Sequence, residues 1–430
     1  MASTTTKLRP LVSGFTYRSS RCSTISTLLR PRHQQHKRHQ PRQTRAYQTH
    51  PIPQVTNSGI PNFAFAFDID GVLLRESAPL PGAATALSYL QSEQIPFILL
   101  TNGGGRTEAA RIADVAKKLG LSGLDESLLV QSHTPFRELT QLYDKTVLVV
   151  GGERDNCQKV AESYGFKHAV TPGDLIVAYP EIWPFNRPFQ DYYKSFARPL
   201  PTPLYSPTGN PVLEEGKSLK IDAVFVYNDP RDWGLDASVI LDCLLSERGF
   251  LGTVSKKNGN EELVNRGYLQ DGQPKVWFSN PDLWWAAGYH LSRLGQGGFQ
   301  AAFRGLWDTV SDGAELGGHT ETIGKPNQGT YEYAERQLLR VRRGMFGSKV
   351  SGLRDPLKRV YMIGDNPESD IAGANNYRSP YSSEWRSILV KTGVWREGTK
   401  PTHKPYIVQN TVLDAVQWAV EDAKAGGATI

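Results

Sequence analysis

The chain has 430 residues, 39% apolar and 21% charged, more than one ordinary core takes up, so two domains or one domain with a large insertion are expected. No apolar run approaches the ~18 residues that a membrane-spanning helix needs, which excludes a transmembrane segment and leaves only peripheral contact with a membrane. The net charge of +6 is unevenly placed: residues 1–67 hold ten Lys or Arg and no Asp or Glu, and removing those ten from the 49 leaves 39 basic residues against 43 acidic ones, so the basic character belongs to the leader and gives no ground for nucleic-acid binding.

Residues 1–60 are rich in Ser, Thr and Arg, lack acids and contain no apolar h-region. This is the composition of a mitochondrial transit peptide, with the matrix as destination, and not of a secretory signal. "TRAYQT" (44–49) resembles the Arg-x-Tyr setting of the matrix processing peptidase, which places cleavage near Tyr47. A basic disordered tail is the alternative. The three cysteines, Cys22, Cys157 and Cys243, show neither zinc spacing nor a disulfide framework and fit a reducing compartment.

From residue 61 the pattern alternates. "FAFAFDI" predicts a strand, "AATALSYLQSEQ" a helix, "IPFILLTN" a second buried strand, and "RTEAARIADVAKKLG" a helix with Gly120 at its C-cap. A β-α-β-α order implies a parallel sheet covered by helices. Further on, "TVLVVGG" (146–152), "DLIVAY" (174–179), "IDAVFVYND" (221–229) and "KVWFSNPD" predict strands. Between them the Pro-rich stretch 184–216 is too long for a plain loop, and reads as a surface insertion or a lid-like part of a second domain. "RVYMIGD" and "SILVKTG" predict strands, "ESDIAGANN" starts a helix, and "TVLDAVQWAVEDAK" is an amphipathic C-terminal helix. The strongly basic 342–359 reads as an exposed insertion, with contact to an anionic surface as the second possibility.

Four short stretches sit next to predicted buried strands, at the end where α/β sheets bind ligands: "DIDGV" (68–72), "TNGGG" (101–105), "GKP" (324–326) and "GDNPESD" (364–370). Together they would crowd Asp68, Asp70, Asp365 and Asp370 into one place. Like charges that close need a compensating cation, and Mg²⁺ suits few carboxylates plus water. Lys325 adds a positive charge. Thr101 and the glycines after Asn102 offer a hydroxyl and open backbone N–H groups for phosphate oxygens. Singly each stretch is a common turn; in this order they describe a phosphoryl-transfer site.

On these motifs the chain resembles the haloacid dehalogenase-like hydrolases, over about 62–425. The resemblance implies a Rossmann-like α/β core, a parallel sheet with helices on both faces, and an α/β cap of the C2 type inserted between the second and third motifs. It divides the chain into a leader (1–60), a first core part (61–135), a cap with the Pro-rich insertion (136–280) and a second core part (281–430). It implies a class IIA phosphatase in which Asp68 is the nucleophile and Asp70 the acid and base. Thr101, Asn102 and Lys325 would hold the phosphate. Asp68, the Asp70 carbonyl and Asp365 would bind Mg²⁺, and Asp370 would orient Lys325 or a metal water. The second aspartate favours phosphate-ester over dehalogenase chemistry. "VFVYNDPRDW", "FSNPDLWW" and "GQGGF" more narrowly resemble the cat eye syndrome critical region protein subfamily, which is associated with mitochondria.

Trp233, Trp284 and Trp285 read as cap core or as substrate contacts, and His133 as a cap-entrance residue or a buried structural one. The expected substrate is a small phosphorylated metabolite or a glycerophospholipid precursor. A binding or regulatory protein that keeps the hydrolase fold is the alternative. Oligomeric state is not written in the motifs.

Overall fold

The computed structural model describes residues 59–185, 187–285, 289, 291–350 and 357–427. The expected transit peptide therefore lies outside the described residues, as do 351–356 of the basic stretch. Strands β1 (Phe63–Phe67), β2 (Phe97–Leu100) and β3 (Leu129–Val130) come first. β4 (Thr146–Val150), β5 (His168–Val170), β6 (Ala223–Val226) and β7 (Lys275–Phe278) follow. A short antiparallel hairpin, β8 (Trp284–Trp285) and β9 (Arg293–Leu294), precedes β10 (Thr320–Thr322), and the chain ends through β11 (Arg359–Gly364), β12 (Glu384–Val390) and β13 (Ile407–Gln409). Two parallel sheets result: six strands in the order β13-β12-β11-β1-β2-β3, and five in the order β10-β7-β6-β4-β5.

Among the described residues the α-helices are α1 (Ala83–Ser92), α2 (Glu108–Leu119), α3 (Asn156–Tyr164), α4 (Pro172–Ala178), α5 (Trp233–Leu245), α6 (Gln296–Ser311), α7 (Gln328–Phe346), α8 (Ala372–Asn376) and α9 (Val412–Ala425); a further short helix spans Gln190–Lys194. Strand β1 shows how sequence sets the layers. Successive side chains point to opposite faces, so Phe63, Phe65 and Phe67 pack with Leu87, Val115 and Val416, while Ala64 and Ala66 face Tyr331, Ala334 and Leu338 of α7. Large residues fill one interface and small ones admit the other helix closely. Both faces of the core sheet are thus covered by helices. The second sheet is covered the same way: Leu148, Val150 and Val224 face Leu235, Phe299 and Trp307, and Val147, Val149 and Phe225 face Cys157, Val160 and Phe136.

Three expectations change. Residues 174–178, expected as a strand at "DLIVAY" (174–179), lie in α4 (Pro172–Ala178). Thr171 Oγ1 accepts from Asp174 N at 3.2 Å and Asp174 Oδ2 accepts from Thr171 N at 2.8 Å, a reciprocal capping box that starts a helix there. The second-domain boundary moves from 280 to about 323, because β10 pairs with β7 and α6 packs on the second core. Within 342–359, residues 342–346 continue α7 instead of forming an insertion: Arg342 is buried, while Arg343, Gly344, Met345, Gly347, Ser348 and Lys349 are exposed as expected. The Pro-rich stretch joins the second domain: Tyr193 and Leu204 are buried in its core.

Candidate active site

Adjacent strands β2, β1 and β11 all run parallel and end at one edge. Thr101 follows β2, Asp68 follows β1 and Asp365 follows β11. The chain moves to opposite sides of β1 here, which makes this edge the crevice where an open α/β sheet takes a ligand. Asp68 is held by its own N–H, which donates to Ile363 O at 2.9 Å.

Lys325 enters from the return out of the second domain and is 1% exposed. Its ammonium lies 2.9 Å from Asp68 Oδ1, 2.7 Å from Asp370 Oδ1 and 2.9 Å from Leu100 O, which uses all three donors. Burial works against this charge, but Asp370 and Asp68 outweigh it and hold the Lys325 pKa above its ordinary value. The other Asp370 oxygen accepts from the N–H groups of Asp365 and Asn366, each at 3.1 Å. Asp370 thus ties Lys325 to the turn after β11, and it belongs to the support of the site.

Asn102 differs from its expected role in holding phosphate. Its Oδ1 accepts from Lys325 N at 2.8 Å, and its Nδ2 donates to Lys325 O at 2.9 Å and to Asp282 Oδ2 at 3.0 Å. Both amide donors are committed, so Asn102 positions the lysine loop and fastens it to Asp282 of the second domain. Thr101 Oγ1 accepts from Gly103 N at 3.0 Å, which leaves its hydroxyl proton available to an anion.

Asp70 has a different setting from Asp68. Its carboxylate pairs with Arg111 at 3.4 Å and its side chain is 57% exposed. Desolvation raises the Asp70 pKa, Arg111 lowers it and the charge of Asp68 raises it again, for a net rise. With so much of the side chain open, this desolvation is the crowding of the cleft rather than enclosure. Gly71 next to it has φ +89°, and a methyl there would lie 2.4 Å from Asp365 Oδ2. Gly393 has the same constraint at 1.8 Å, and Val394 N donates to Asp365 Oδ2 at 2.6 Å. Arg111 did not stand out in the sequence, since nothing local marks it, and Gly393 and Val394, which follow the strand predicted at "SILVKTG", carried no predicted role at the site.

Oxygens of Asp68, Asp365 and Asp370 lie within 4.8 Å of one another, and one ammonium faces the three. Burial, then Asp68 and Asp370, push the Asp365 pKa well up. Asp370 is pushed up to about 7, chiefly by burial, with Lys325 opposing and Asp68 adding. A cluster short of positive charge, all oxygen donors, fits a hard divalent cation such as Mg²⁺.

His133 is fully buried beside the glycine loop. Gly105 N donates to its Nε2 at 3.1 Å, so that nitrogen is unprotonated and Nδ1–H donates to Tyr164 Oη at 2.8 Å. The Tyr164 hydroxyl then donates to Glu108 Oε1, which also accepts from Thr134 Oγ1 at 2.7 Å. This relay joins the first core part to α3 of the second domain, and burial lowers the His133 pKa to about 4.

The geometry defines a hydrolase of the α/β type whose carboxylates gather at a sheet edge under an inserted second domain. The chain belongs to the haloacid dehalogenase-like hydrolase family. A profile described as haloacid dehalogenase-like hydrolase matches residues 65–167, and one described as HAD-hydrolase-like matches 322–415. It is 36% identical over 375 residues to a mitochondrial hydrolase of Saccharomyces cerevisiae, covering 83% of this chain and 95% of that protein. It is 38% identical over 367 residues to a cardiolipin synthase (CMP-forming)/mitochondrial hydrolase fusion protein of Schizosaccharomyces pombe. That match covers 85% of this chain but 54% of the fusion protein, so the chain spans about half of that relative. Among solved structures, a hypothetical protein of Pyrococcus horikoshii shares the fold with TM-score 0.50 and 20% identity, covering 83% of this chain and 99% of that one. A p-nitrophenyl phosphatase of Archaeoglobus fulgidus does so with TM-score 0.50 and 15% identity, over 84% and 100%.

Proposed function

We propose that this chain is a Mg²⁺-dependent phosphatase that hydrolyses a phosphate monoester through an aspartyl-phosphate on Asp68. One observation carries the reading. Two carboxylates one residue apart have opposite settings, Asp68 inside against Lys325 and Asp70 outside against Arg111. An Asp68 oxygen attacks phosphorus and the bond to the leaving oxygen breaks. Asp70 gives that oxygen its proton. Asp70 then takes a proton from water, whose oxygen attacks the same phosphorus and frees Asp68. Lys325 and Thr101 offset the charge on the equatorial oxygens. Asp68, Asp365 and the Asp70 carbonyl would hold Mg²⁺, which supplies Lewis-acid stabilisation of phosphoryl charge. The second domain caps the cleft and limits water.

Residues 1–60 direct the chain to mitochondria, in line with their acid-free composition and with the names of the two yeast relatives. The fission yeast fusion couples a relative of this chain to an enzyme named for a phospholipid product, which supports a glycerophospholipid precursor as substrate. The test is phosphate release from a panel of phosphate esters, including lysophosphatidic and phosphatidylglycerol phosphate esters, with and without Mg²⁺ and beside Asp68→Asn. Release that requires Mg²⁺ and is lost in Asp68→Asn is the expected result. Release that persists in the variant refutes the mechanism.

A further inference from the structure

We infer that the β8–β9 hairpin is a membrane-docking element that seats the catalytic cleft on a phospholipid surface. The choice of a lipid surface rests on the phosphatase reading above. Around the hairpin, Leu283, Trp284, Trp285, Tyr289, Leu291 and Leu294 are all 46–53% exposed. Single exposed apolar residues are ordinary, but six within twelve positions are not. Trp284 and Trp285 do not pack into either core, unlike Trp233, which meets Phe299 edge-on.

The chemistry of this surface matches a lipid–water interface. Trp and Tyr have an apolar body and a polar edge and concentrate at the headgroup level. Residues 283–295 include no Asp or Glu, and their one Arg, Arg293, stacks on Tyr289 with Cζ 4.6 Å from the ring centroid. A cation carried on an aromatic face suits an anionic headgroup. Backbone groups need internal partners at an interface. Here β8 and β9 pair Trp284 with Leu294 and Trp285 with Arg293, and Gly295 N donates to Leu283 O at 2.9 Å.

Placement ties the hairpin to catalysis. Asp282, the residue before Leu283, accepts from Asn102 at 3.0 Å, and its carbonyl accepts from Gly297 N at 2.9 Å. The hairpin base is therefore fastened to the glycine loop of the site. Sinking the aromatic side chains into a headgroup layer would bring the cleft to lipid phosphates without extracting the lipid.

The experiment uses the full chain with vesicles of phosphatidylcholine, with and without phosphatidylglycerol, by flotation at low and high salt. Wild type is compared with the double variant Trp284→Ser/Trp285→Ser. Binding by the basic leader is screened by salt, so the salt-resistant fraction reports the hairpin. The expected result is a loss of at least about tenfold in salt-resistant binding, with p-nitrophenyl phosphate turnover and circular dichroism unchanged. Equal vesicle binding by both proteins overturns the inference. So does absence of vesicle binding together with a wild-type dimer that the substitution converts to monomer, which would assign the surface to a second copy. If vesicle binding needs the tryptophans but no ester is hydrolysed, docking stands and the phosphatase reading fails.

Discussion

Asn102 holds Lys325 by both backbone groups: the Lys325 N–H donates to Oδ1 at 2.8 Å, and Nδ2 donates to the Lys325 carbonyl at 2.9 Å. The two residues are 223 positions apart in the chain. This double bond fixes where the ammonium emerges beside Asp68, although the Asn102 side chain does not reach the reacting atoms. Asn102→Ala is expected to lower kcat by about 10²-fold through misplacement of Lys325, with a smaller change in KM. Steady-state kinetics on p-nitrophenyl phosphate separate the two. A change confined to KM would show that Asn102 binds substrate instead.

Lys325 is the one cation contacting Asp68 and Asp370 among the described residues. Replacing it with Met leaves two buried carboxylates without their partner, a change that destabilises by about 3–5 kcal/mol. Urea unfolding without metal should show this loss in Lys325→Met, and added Mg²⁺ should recover part of it by supplying charge.

Gly393 predicts a metal phenotype from a residue that bears no ligand. Its added methyl would fall 1.8 Å from Asp365 Oδ2, so Asp365 must move. Gly393→Ala is expected to weaken Mg²⁺ affinity by roughly 10–100-fold. The Mg²⁺-dependent rise in Tm of wild type should be largely lost in the variant. An unchanged rise would remove Asp365 from the metal site.

His133 gives the protein an acid-sensitive joint. Its folded pKa of about 4 lies below the ordinary 6.5, so between those values the unfolded chain binds a proton that the folded one refuses. Its contribution is intact above about pH 6.5 and is lost as pH falls toward 4, by up to about 3 kcal/mol in total. The facing groups are Tyr164, Tyr227, Glu108 and Arg137, with Glu108 favouring the charged ring and Arg137 opposing it. His133→Asn should flatten this part of the stability–pH curve in denaturant titrations, even if it lowers stability at pH 7. An unaltered slope would place the titration elsewhere.

The sequence made the core legible because its strands are short, apolar and each followed by a chemical motif. Asp68, Thr101 and Asp365 follow adjacent strands, and Lys325 and Asp370 reach Asp68 from the return of the second domain and the helical turn after β11. Other features were hidden for physical reasons. α4 looked like a strand because "LIVA" favours either state, and the deciding signal was the Thr171–Asp174 capping box. β10 is a polar edge strand, Thr-Glu-Thr, with no apolar signature to carry the second domain past 280. Asn102 has partners 180 and 223 residues away, which no local spacing reveals. For Trp284 and Trp285, composition alone gives the same signal for a core residue and an exposed one.

The two passages between the domains are unequal. Going out, residues 131–145 run through short 3₁₀ turns, Thr134–Glu138 and Thr140–Leu142. Coming back, Ile323 still bonds to Phe278 O, whereas Gly324 N already donates to Thr330 Oγ1 of α7, and the next residue is Lys325. The return is thus one peptide wide: Ile323 belongs to the second sheet, Gly324 to the start of α7, and Lys325 follows at once. A flexible spacer inserted at 142–145 would leave the reaction centre in register. The same spacer between Ile323 and Gly324 would uncouple the second sheet from the position of the lysine.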